Sequence, residues 1–88
     1  MPAITVGLPA ALTSPQPARE FSCEASTVGE ALHALVGQAP QYGQRIFYGD
    51  RLLVVVTLNG KHLPPATVKE TAVAAGDHVE ILLPVAGG

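Results

Sequence analysis

Only one stretch of this chain carries its apolar residues at the 3.6-residue period of an amphipathic helix. In "STVGEALHALVGQAP", Val28, Leu32, Leu35 and Val36 recur at helical spacing with Ala31 between them, whereas the other apolar runs alternate or are continuous and β-branched. A single amphipathic helix of about ten residues must bury its apolar stripe on something, and here only a sheet is available. Thr27 with Glu30 three places on forms a capping-box start, and Gly37 with Pro40 beyond it predicts the stop.

The strands read from both sides of the helix. In "AITVGL", Ile4, Val6 and Leu8 alternate with Thr5 and Gly7. "TSPQPA" is a turn, and in "REFSCEA" Phe21, Cys23 and Ala25 face one way, so the two strands form a hairpin. "QYGQRIFYGDR" reads as irregular, with at most a short helical turn. "LLVVVTLNGKHL" is a long strand-like run turned back at Asn59-Gly60, a strong hairpin signal. "PPATVKETAVAAGD" is a crossover with at most one helical turn, and "HVEILLP" is the last strand. The expected class is α+β, a mixed sheet of four to five strands on one main helix. A hairpin, a helix and a return into the sheet fit the β-grasp arrangement, in which the first and last strands run parallel at the centre.

With 88 residues the chain is expected to be one domain, 1–88, with a thin core. Apolar residues make up 48% and charged residues 14%, too apolar for disorder, so some of the surplus must lie on the surface, where a contiguous patch would mark a partner site. A net charge of −2 with no basic cluster argues against nucleic acid. "MPAITVGLPA" lacks the positive start and long apolar core of a secretory signal, and no run nears the ~20 apolar residues of a membrane span. Cytoplasmic location without membrane attachment is the expectation. Cys23 is the only cysteine, so no disulfide or cysteine metal cluster is expected. His33, His62 and His78 lack ligand spacing, so no metal is expected either. Asp50 and Glu80 are isolated carboxylates, and there is neither a Ser/His/Asp pattern nor a phosphate loop. An independent enzyme is not expected.

The ending "EILLPVAGG" raises its own question, because an apolar strand is followed by small, bare residues. Alone, Gly87-Gly88 could be a stub. In order along the chain, "ITVGLP", "STVGEALHAL", "VTLNG" and "AAGDHVEILLPVAGG" resemble the prokaryotic ubiquitin-like sulfur-carrier proteins over nearly the whole sequence. That family includes the small subunit of molybdopterin synthase and the thiamine- and cysteine-pathway carriers. The molybdopterin type usually has an aromatic-rich first strand and a double proline before the tail. Here "VGLPAAL" and the single proline of "LLPVAGG" bring the chain nearer to the cysteine-pathway type, or to relatives serving specialised sulfur-containing metabolites.

The resemblance implies a protein co-substrate with no bound cofactor. An adenylating (activating) enzyme spends ATP on the carboxylate of Gly88, and a sulfur donor converts the acyl-adenylate to a thiocarboxylate. That terminus then delivers sulfur to a biosynthetic enzyme; a sulfurtransferase or a thiocarboxylate-processing hydrolase are further partners of this type. Pro84, Val85, Ala86 and Gly87 would form a flexible tail, with 85–88 beyond the folded body. Four residues past Pro84 span about 13 Å when extended. Glycine without a Cβ passes a narrow channel, and Pro84, lacking an N–H, suits the end of sheet pairing. By parity Val79, Ile81 and Leu83 face the core, while His78, Glu80 and Leu82 face outward. The resemblance puts Pro9 and His62 on Leu82's face as docking contacts, although Leu82 also reads as one of the scattered surface leucines common in proteins. Two rival functions use the same fold: a protein modifier joined to lysines, and a ubiquitin-like binding module with no need of the Gly-Gly end.

Overall fold

A computed structural model describes residues 2–13, 15, 17–49 and 51–83. Strand β1 (Ala3–Leu8) pairs antiparallel with β2 (Arg19–Glu24), Ile4 opposite Cys23 and Val6 opposite Phe21, as the alternation predicts. Helix α2 (Val28–Gln38) follows, separated from the hairpin's own short helical turn α1 (Ala10–Thr13) by β2. Strand β5 (Val55–Leu58) turns into β6 (Lys61–His62), and β7 (His78–Leu82) closes the sheet. The five-stranded order is β2-β1-β7-β5-β6, with β7 parallel to β1 and antiparallel to β5. This is the β-grasp arrangement, an α+β layer pair.

The helix begins as its sequence dictates. The Thr27 hydroxyl accepts from the Glu30 N–H at 3.2 Å, and the Glu30 carboxylate reaches back to the Ser26 N–H at 2.7 Å. Its buried stripe of Val28, Ala31, Leu32 and Leu35 packs in one cluster with Ile4, Val6 and Leu8 of β1, Val56 of β5, and Val79 and Ile81 of β7. Each large side chain sealed there contributes about 1.5–3 kcal/mol. At the β5–β6 turn, Asn59 and Gly60 take φ of +52° and +84°, the left-handed pair that a type I′ turn needs. The turn is also tied to β7: the His78 N–H donates to Asn59 Oδ1 at 2.8 Å, and the Asn59 amide donates to Asp77 at 3.0 Å.

Several expectations need correction. Helix α2 runs one residue past Gly37 to Gln38, because the Ala39 N–H donates to the Leu35 carbonyl at 2.8 Å and Gly37 does not take the positive φ of a terminating glycine. Strand β1 ends at Leu8, as "AITVGL" predicts, and the Pro9 carbonyl then accepts the Leu12 and Thr13 N–H groups to start α1, a helical turn that the sequence reading did not include. The run "LLVVV" is broken: β3 (Phe47–Tyr48) and β4 (Arg51–Leu52) make a separate two-stranded ribbon, and the chain bends before β5. The segment before it, read as irregular with at most a short helical turn, holds a 3-10 turn at Pro40–Tyr42 and the four-residue helix α3 (Gly43–Ile46), in keeping with that reading. Leu83 is not in the core; the β5–β7 ladder ends at the Val55–Leu82 pair, leaving Leu83 38% exposed.

Leu32→Ala should lower the unfolding free energy by about 2–5 kcal/mol in urea titration, the cost of a buried leucine cavity. At the β7 entry, the Ala74 N–H and then the Asn59 amide hold the Asp77 carboxyl below the usual carboxylate range. A depressed folded value means that the ionised form supports the fold above about pH 4, and that this support is lost as pH falls through the lowered value. The difference in thermal midpoint between wild type and Asp77→Ala should therefore narrow in acid. A gap of constant size from neutral pH to about pH 2 would contradict it.

Candidate functional site

The helix covers one face of the sheet and leaves the other open. Register assigns the open face: Thr5 and Gly7 on β1, His78, Glu80 and Leu82 on β7, and Val55 and Thr57 on β5, with His62 of β6 opposite Thr57. Leu82, expected as a docking residue, is 42% exposed on this face beside Val55. His62 is exposed on the same face across β5, and the register offsets it from Leu82 by two residues. Pro9 follows β1 directly and is half-buried; its carbonyl is committed to starting α1. The structure thus puts Leu82 and His62 on one surface, with Pro9 at the end of the neighbouring strand.

A feature that the sequence reading missed runs along the seam between β1 and β7. The Thr5 hydroxyl lies 2.8 Å from His78 Nδ1, and His78 Nε2 lies 3.1 Å from Glu80 Oε1. The Thr5 hydroxyl and the Glu80 carboxylate thus engage the two ring nitrogens of His78 from opposite sides. Glu80 then folds across β1, where a Cβ on Gly7 would stand 2.5 Å from Glu80 Oε2. A glycine inside the strand "AITVGL" was the available signal of such a close approach.

Burial raises the Cys23 thiol above its ordinary value, which disfavours the reactive thiolate. Among the described residues, no group of three His, Cys, Asp or Glu side chains could hold a metal, and no helix is long and apolar enough to cross a membrane. A groove of about 520 Å³ between Arg51, Pro65 and Lys69 shares no residue with the open face. Strand β7 carries the chain to the surface at Leu83, next to exposed Leu82. Pro84, Val85, Ala86, Gly87 and Gly88, the expected tail, lie outside the described residues.

The ThiS family model matches residues 11–88. No curated protein matches the chain. The crystal structure of SAMP1 from Haloferax volcanii is 32% identical over 98% of this chain and 99% of its own, with a TM-score of 0.74. The solution structure of small archaeal modifier protein 1 from Methanosarcina acetivorans is 26% identical over 100% of this chain and 98% of its own, with a TM-score of 0.78. A chain in the Amycolatopsis orientalis BexX/CysO complex is 24% identical over 97% of this chain and 99% of its own, with a TM-score of 0.74, a likeness of fold alone.

Because Leu82 is outside the core, Leu82→Asp should leave the unfolding free energy within about 0.5 kcal/mol of wild type. A cooperative loss of structure on this substitution, seen by circular dichroism, would place Leu82 in the core after all.

Proposed function

The chain belongs to the ThiS family, and from that premise we propose that it is a ubiquitin-like sulfur carrier whose reacting group is the carboxyl of Gly88. The observation that carries this reading is that the family match extends through "LPVAGG" to Gly88 itself. The protein is a co-substrate. On an adenylating enzyme the Gly88 carboxylate attacks the α-phosphorus of ATP and pyrophosphate leaves. A sulfur nucleophile then attacks the acyl carbon, and AMP departs to leave a thiocarboxylate. That sulfur is passed to an acceptor enzyme in the cytoplasm, in a biosynthetic route to cysteine, molybdopterin or another sulfur-containing metabolite.

The chemistry explains the residues. A reacting carbon that must enter another protein's pocket needs a thin approach, and Ala86, Gly87 and Gly88 are the smallest residues available. Leu82, His62 and Pro9 form the docking surface at its base. The Amycolatopsis orientalis complex contains a protein of this fold beside a second protein, which supports a role played against partner enzymes. A second reading, conjugation of the same terminus to lysines, is favoured by the 32% identity to SAMP1 and by the name of its Methanosarcina acetivorans counterpart, small archaeal modifier protein 1. The two share the activation step and differ only in whether sulfur or an amine attacks.

Intact mass measured after incubation with the adenylating enzyme, ATP and sulfide distinguishes them. The carrier gains the mass difference between sulfur and oxygen, and a modifier supplied with lysates also appears in conjugates. Gly88→Ala, or one residue added after Gly88, should abolish the gain while circular dichroism stays unchanged. Charging of either variant at the wild-type rate would sink the assignment of Gly88.

A further inference from the structure

The open face is polarised in a way that the carrier role does not by itself require. Its strand positions hold three carboxylates, Glu20 and Glu24 on β2 and Glu80 on β7, and no lysine or arginine. The cations on the edge strands, Arg19 and Lys61, have the opposite parity: Arg19 stacks over Phe21, and Lys61 pairs with Leu58. Glu80 stands at the centre of this field, in register with Gly7 on one side and Thr57 on the other.

Glu80 is also held in place. Its Oε1 is engaged by His78 Nε2 at 3.1 Å, and the ring is fixed in turn by Thr5 at 2.8 Å. Gly7 leaves the space in which Oε2 lies. The side chain is 40% exposed, and among the described residues no lysine or arginine pairs with it. A part-desolvated carboxylate that is oriented by a neighbouring ring and engaged by no lysine or arginine is preorganised to receive one. Leu82, two residues on, adds an exposed apolar contact on the same face.

We infer that Glu80 is a specificity determinant of the docking surface, accepting an arginine from the adenylating enzyme over the bare backbone of Gly7. Arginine is the matching donor because its planar fork can bond a fixed carboxylate while its stem covers neighbouring apolar surface. Gly7 and His78 are positioning residues that act through Glu80. This rests on the carrier reading, which supplies the partner, but it concerns recognition and not the chemistry at Gly88.

The test uses the full chain and the adenylating enzyme encoded in the same genome, with affinity followed by calorimetry over a salt series and charging by intact mass. Glu80→Gln, nearly isosteric, should weaken binding by about tenfold and flatten its salt dependence. Gly7→Ala should cost a similar factor by displacing the carboxylate. Adding Gly7→Ala to Glu80→Gln should cost no more than Glu80→Gln alone, a non-additivity that a general packing defect would not produce. Glu80→Gln binding as tightly as wild type, with the same salt slope, overturns the inference while the carrier reading stands. Wild type that this enzyme cannot charge overturns the carrier reading, and the inference falls with it.

Discussion

The parallel seam between β1 and β7 is the constraint on which the rest of the molecule depends. Thr5 and His78 lie 73 positions apart in the chain, yet they face each other in register across it. On one side of the sheet the seam brings Ile4, Val6, Val79 and Ile81 under the helix, where they are at most 3% exposed. On the other it aligns Thr5, His78 and Glu80 into a hydrogen-bonded row. Strand β7 has neighbours on both sides, so its ladder carries the chain from the core to the exposed pair Leu82 and Leu83. The same pairing therefore closes the core, shapes the open face and brings the chain to the surface at Leu82 and Leu83.

Much of this was legible because it depends on local chemistry. Alternation in "AITVGL" assigned the buried face of β1, the Thr27–Glu30 spacing assigned the start of the helix, and Asn59-Gly60 assigned the hairpin. The misses occur where a nonlocal partner decides. Leu83 has the parity of a core residue, but it lies beyond the last rung to β5. Gly37 resembles a stop, yet the Ala39 N–H finds the Leu35 carbonyl and the helix continues. "LLVVV" reads as one strand, but the Leu53 N–H bonds the Ile46 carbonyl at 2.8 Å, which ties the segment to α3 before β5 begins. Of the site, Leu82 and His62 could be placed on one face by parity and the family resemblance. The lock on Glu80 could not, because it requires knowing that Gly7 and Glu80 are opposite each other.

In the proposed carrier role, the body and the tail would divide the work between them. Residues near Gly88 offer almost no side chains, so little in that stretch can discriminate between partners. On that reading discrimination would fall to the folded surface, where the chain presents an exposed Leu82 and the carboxylate of Glu80. Two proteins could share the Gly-Gly chemistry and still be kept apart by what their sheets display. The identities of 24–32% to a CysO complex and to two archaeal modifiers are compatible with one scaffold carrying different surfaces.

The position of β7 has a consequence for synthesis. A ribosome makes this strand last among the described elements, but the sheet needs it in the middle. Until it emerges, the β1–β2 hairpin and the β5–β6 hairpin have no common neighbour and the apolar side of the helix has only part of its seat. Folding must therefore wait for translation to pass Leu82. A nascent chain interrupted before His78 would remain open to proteases, so the cell's stock of folded protein is filtered in favour of molecules whose final strand has been made.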